Sequence, residues 1–238
     1  MLKKLVKPIV YLLAFILTFT GLFVNQSFAA ATETTTNTIE QQQIEFENHI
    51  KHLATTDPEA KKSYEQYAQL SDEDKKNFVK ALNSEEFVKA LQATTTLNPG
   101  ESRSFSNGSI IASVVEEVKP QNEAPFNTLA SYAVKERNVT QKVVVFGIFA
   151  SIYWVKVRFQ HPLGSRDVTK TLSADNGHTN INPSIIVTDI GASHWASAGW
   201  AFATGKFRIA ATGSIGFWSF THVLNLKADP EYTTGWLN

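Results

Sequence analysis

Residues Val139–Phe159 read VTQKVVVFGIFASIYWVKVRF. β-branched and aromatic side chains dominate this stretch, a composition that suits a pleated, half-buried surface better than a helix. Val143, Val145, Phe149, Tyr153, Val155, Val157 and Phe159 alternate against Val144, Phe146, Ile148, Ile152 and Trp154, so both faces are apolar over much of its length. At roughly 3.3 Å per residue one uninterrupted strand would be far longer than usual, which predicts a bend or bulge near Gly147 or at Ala150-Ser151. Lys156 and Arg158 then alternate with valines and Phe159, the mark of a sheet with one wet face.

The same texture extends on both sides. Phe105, the turn Asn107-Gly108, and Ile110 to Val118 read as an upstream hairpin, with Pro120 to Leu129 as a connecting loop. Downstream, His161-Pro162-Leu163-Gly164 and Ala174-Asp175-Asn176-Gly177-His178 read as turns flanking a short strand from Arg166 to Leu172. Strands are expected at Ile185 to Ile190, Trp195 to Thr204, Lys206 to Phe217 and Trp218 to Lys227. Seven or more short strands without intervening helical periods indicate an antiparallel sandwich or barrel.

Before Pro99 the period is helical. Ile39, Phe46, Ile50 and Leu53 share one narrow face at 3.6-residue spacing. Asp57-Pro58, Ser71 with the acids that follow, and Asn83-Ser84 each restart a helix, through a side-chain cap or a proline at a first helical position. These three or four short helices have too few apolar anchors to be stable alone, so they are expected to lean on the β domain or on a partner. The fold class is therefore α+β, mainly β: a small N-terminal helical region over 38–95, then an antiparallel β-sandwich or barrel over 96–238.

The first residues carry an address. Lys3, Lys4 and Lys7 precede an uncharged apolar run from Ile9 to Val24, followed by small residues from Ser27 to Ala31. That pattern predicts a secretory signal peptide over 1–29 and a flexible polar segment over 30–37, hence a secreted, extracellular protein. The chain contains no cysteine, so burial and hydrogen bonds alone must hold the exported fold, and thiol chemistry is excluded. A cysteine-free exported chain also points to a bacterial exoprotein. Residues 30–99 carry seven basic against twelve acidic side chains, and 100–238 twelve against ten. Neither part has the strongly basic stripe that phosphate backbones require, which argues against a nucleic-acid partner.

No catalytic signature is present: there is no Gly-x-Ser-x-Gly elbow, no His-Glu-x-x-His and no phosphate loop. Glu45, His49 and His52 fall on one helix face, the spacing a zinc ion would need, but a solvated face is the simpler reading and no cofactor is expected. His161, His178, His194 and His222 together with Asp175 or Asp189 supply hydrolase residue types without a hydrolase spacing. Asp175-Asn176-Gly177 opens like a calcium loop but lacks the later ligands, and a tight turn is expected there.

The sharper feature is a hairpin around Gly205-Lys206. With those residues as its loop, Thr204, Phe202 and Trp200 face Phe207, Ile209 and Ala211, leaving Gly199, Ala201 and Ala203 on a small face. Such arms suit either a sandwich core or a membrane-spanning hairpin. Trp195, Trp200, Phe202 and Trp218 are the candidate binding residues, as an aromatic platform. The sequence thus points to a secreted, non-enzymatic protein whose β domain binds a cell-surface or extracellular target. A membrane-inserting β-hairpin toxin or bacteriocin-like protein is the alternative, and an extracellular hydrolase the third.

Overall fold

The structure, a computed structural model, describes residues 38–117, 132–212 and 216–234. The expected signal peptide, the flexible segment and the loop from Pro120 to Leu129 lie outside these residues. Four helices come first: α1 (Ile39–Leu53), α2 (Pro58–Ala68), α3 (Asp72–Leu82) and α4 (Glu85–Ala93). Each begins where a short polar side chain accepts from free backbone amides: Thr38, Asp57, Ser71 and Ser84 in turn. Their inner faces meet in an aromatic triad of Phe46, Tyr67 and Phe78, with ring centroids 4.9 to 5.5 Å apart.

The remaining chain forms two antiparallel sheets. β1 (Ser102–Phe105), β2 (Ile110–Glu117), β3 (Tyr132–Val145), β4 (Ile148–Pro162) and β5 (Lys170–Asn180) form a five-stranded meander. β6 (Ile185–Ser197), β7 (Trp200–Ala211), β8 (Trp218–Ala228) and the two-residue β9 (Thr233–Thr234) form a four-stranded one. The fold is α+β, mainly β, and the choice between sandwich and barrel falls to the sandwich.

The long apolar stretch is two strands rather than one bent strand. Phe146 and Gly147, both at positive φ, make a two-residue hairpin, and Val145 pairs with Ile148. A bulge follows where Val143 pairs with Ser151 but Val144 with Phe149, which leaves Ala150 unpaired. Both disruptions fall where the sequence placed them.

Two turn assignments and part of one strand assignment are overturned. Asp175-Asn176-Gly177 lies inside β5, and of the strand expected from Arg166 to Leu172 residues 166–169 belong to the connection before β5. Gly177 is required there because the Trp154 indole lies against it: a Cβ would come within 2.5 Å of the ring. Gly205-Lys206 lies inside β7, where Gly205 pairs with both Ala192 and Leu224. The true turn is Ala198-Gly199, both at positive φ, joining Ser197 to Trp200. A Cβ on Gly205 would sit 3.0 Å from the Asn176 side chain and 3.3 Å from Val155, so this glycine is where the two sheets close on each other.

Moving the turn reassigns the faces. Ala201, Ala203, Gly205, Phe207, Ile209 and Ala211 now share the inward row, while Trp200, Phe202, Thr204, Lys206 and Arg208 point outward. Between the sheets, Tyr153 packs on Phe207 at 5.3 Å and on His222 at 4.9 Å. The inward row of the five-stranded sheet continues through Ile110, Ala112, Val143 and Val145, which belong to the same buried cluster as the helices.

Polar contacts tie the helices down. The Asn182 amide donates to the Leu82 carbonyl at the end of α3, Ser63 to the Phe149 carbonyl, and Thr179 to the Asp57 carboxylate. Residues 37–238 accordingly form one compact unit, with the change of texture near Thr94 to Gly100 marking the passage from helix to strand.

Gly205→Val tests the sheet closure. Overpacking at this contact is expected to lower stability by about 1–3 kcal/mol in urea unfolding, without a change in the far-ultraviolet spectrum.

Candidate functional site

Three of the four candidate aromatics come together on the outward face of the four-stranded sheet. Trp195 and Phe202 are directly paired across β6 and β7, and their rings stack at 5.2 Å with only 4° between planes. Trp195 remains 43% exposed. Trp200 lies beside the turn, and the Lys227 ammonium from β8 sits 4.2 Å from the centre of its ring, a cation–π distance. The fourth, Trp218, is not part of this group. It pairs with Ala211 at the other end of β8, on the inward row, and stacks on Phe220 at 5.5 Å.

Charge completes this face. Moving away from the turn along β7, the outward row reads Trp200, Phe202, Thr204, Lys206 and Arg208. Lys206 and Arg208 are exposed, and among the described outward residues of β6, β7 and β8 there is no carboxylate. A chain of zero formal net charge thus presents three cations and three aromatic rings on one surface. Sequence reasoning missed Lys206, Arg208 and Lys227 as a group because a turn at Gly205-Lys206 takes Lys206 into the loop and sets Arg208 on the face opposite Trp200 and Phe202. The available signal was the unbroken period-2 alternation from Trp200 to Ala211.

The histidines do not converge. His178 Nδ1 is 3.0 Å from the Asp189 carboxylate, and His194 Nδ1 is 2.9 Å from the Thr171 hydroxyl. His161 Nδ1 lies within 3.0 Å of two carbonyls, those of Pro162 and Ser165, which makes it the protonated nitrogen. Burial holds His49 below its ordinary pKa, and among the described residues no three metal-ligating side chains share a site. Asp175 pairs with Lys156 at 3.2 Å.

Two concave surfaces are also present. One, about 540 Å³, lies over the outer face of β3 and β4 with Trp154 and Ile152 in its lining. Its charges are largely internal: Lys62 pairs with Glu59, and Lys156 with Asp175. The other, about 480 Å³, opens between β8 and the segment that follows α4.

Beneath this second surface lies a buried polar chain. Gln141 donates its amide to the Thr94 carbonyl at 2.7 Å, which directs its own carbonyl oxygen toward His222 Nε2. His222 must therefore carry its proton on Nε2, leaving Nδ1 buried without a partner, and burial lowers its pKa to about 4. The chain matches no protein-family model, no curated protein and no solved structure.

The His222 site has a pH signature. Below the ordinary histidine pKa of 6.5 the unfolded chain takes up a proton that the native His222 refuses until about pH 4. The stabilisation is whole above pH 6.5 and is lost as pH falls toward 4, by about 3 kcal/mol, with His49 adding in the same direction. Urea midpoints measured across that window should fall accordingly, and His222→Phe should flatten the fall while lowering stability at neutral pH.

Proposed function

We propose that this protein is a secreted, non-enzymatic binding protein that attaches to a negatively charged target at a cell surface or in the extracellular surroundings. The observation that carries the reading is the outward face of β6, β7 and β8. There a parallel-stacked Trp195–Phe202 pair and the Lys227-covered Trp200 run into Lys206 and Arg208, with no carboxylate among the described outward residues of these strands. Flat rings supply contact area at low entropic cost, while the cations select an anionic surface and speed its encounter.

The membrane-inserting alternative loses its specific support. Its arms required a turn at Gly205-Lys206, whereas Ala201, Ala203 and Gly205 pack inward against the other sheet. Inserting β6 and β7 would mean opening the sandwich. The hydrolase reading has one histidine–carboxylate contact, His178 to Asp189, with no nucleophile placed beside it among the described contacts.

Co-sedimentation with intact cells, phosphate-bearing polysaccharide, and anionic or neutral vesicles tests the proposal. Binding to an anionic partner should weaken with salt, and Trp195→Ala and the pair Lys206→Glu/Arg208→Glu should each weaken it at least tenfold at unchanged melting temperature. Dye-loaded vesicles should not leak. Leakage, or binding that ignores both salt and the charge reversal, would sink the reading.

A further inference from the structure

Among the described residues, β8 is an edge of the four-stranded sheet that carries few of the usual protections. β7 covers one side of β8 from Trp218 to Ala228, but β9 covers the other side only at Lys227 and Ala228. Among the described residues no strand pairs with that side over 218–226, a length of about 30 Å. Half of the backbone amides and carbonyls in such an edge point away from the sheet. Folded proteins blunt exposed edges with charged side chains, prolines or bulges. Residues 218–226 read WSFTHVLNL, with no lysine, arginine, carboxylate or proline, and their ladder to β7 has no bulge. The sheet's opposite edge differs: β6 carries a bulge between Asp189 and Gly191 and lies beside β5, with the His178–Asp189 and His194–Thr171 contacts between them.

The open edge also lines a cavity. The 480 Å³ concavity runs beside it, with Phe220 and Leu224 of β8 on one side and Leu97, Pro99 and Val114 on the other. Its volume lies in the range of specific ligand sites. β8 contributes lining from both rows, Phe220 and Leu224 inward and Thr221, Val223 and Asn225 outward, so the concavity runs along the edge itself, where a paired strand would lie and turn every second side chain inward. β9 already occupies the first two positions of the slot, which sets the line an added strand would continue. Thr95, Thr96 and Pro99 line the far side of the concavity, so an added strand would lie between them and β8.

We propose that the slot between β8 and the residues following α4 binds an extended peptide segment of a partner polypeptide. The peptide adds as a strand beside β8 and inserts apolar side chains at alternate positions. Main-chain hydrogen bonds to residues 218–226 supply affinity, and the cavity selects the inward side chains. Phe217, 84% exposed, offers further apolar contact at the open end. This site is independent of the aromatic and cationic face.

The probe is the fluorescein-labelled peptide Lys-Thr-Val-Thr-Leu-Thr-Val-Thr-Lys, titrated into the full chain by anisotropy, with hydrogen exchange read along β8. Saturable binding that slows exchange within 218–226 is expected. It should weaken at least tenfold in Thr221→Lys/Val223→Lys, whose substituted side chains lie on the outward row, and equally for a peptide with prolines in place of its valines. Binding insensitive to the prolines, or protection mapping elsewhere, overturns the proposal. If the full chain does not bind, a chain ending at Thr234 is titrated. Binding gained there assigns the slot to the protein's own following residues, and no binding removes the slot; both overturn the proposal. A dimer that the two lysines dissociate would overturn it in favour of a second copy.

Discussion

One side chain joins the three parts of this protein. Gln141, on β3, donates to the Thr94 carbonyl at the end of the helical segment and accepts from His222 on β8. The amide has one donor end and one acceptor end, so satisfying the helix terminus dictates which nitrogen of His222 is protonated. The histidine is neutral because it is buried, and its ring packs among Tyr153, Phe207 and Phe220. A buried network of this kind must be satisfied as a whole, which couples the helices to both sheets. His222 Nδ1 is buried in this same region with no hydrogen-bond partner among the described residues.

The second constraint is the narrow approach of the sheets at Gly205. The absence of a side chain there lets β7 meet Val155 and Asn176, and Ala201 and Ala203 extend the same small row toward the turn. Because strand side chains alternate, placing small residues inward sends Trp200, Phe202, Lys206 and Arg208 outward. The packing of the core and the chemistry of the binding face are therefore one choice of register. A shift of one residue would bury the cations and expose Phe207 and Ile209.

The aromatic face and the β8 slot ask for different chemistry. On the face, rings and cations are presented on a finished sheet surface, suited to a broad and repetitive partner. At the slot the sheet itself is unfinished, and the recognition element is backbone. Both lie on the four-stranded sheet, while the five-stranded sheet carries the helices and most of the long-range ties to them.

The helices were legible in the sequence because their signals are local. A cap and the amides it satisfies lie within three residues: Asp57 and Ser71 act where the sequence placed them, and Ser84 is one of the two positions it offered. The mainly β character and the disruptions at Gly147 and Ala150 were legible for the same reason. The register of β5 and β7 was not. Asn176-Gly177 and Gly205-Lys206 look locally like turns, but each glycine answers to atoms distant in the chain, the Trp154 ring in one case and Val155 in the other. The sequence alone determined that Trp195, Trp200 and Phe202 would be large apolar groups in strands. Only the tertiary structure decided that they face outward beside Lys206, Arg208 and Lys227, because inside and outside of a strand are set by what packs against it.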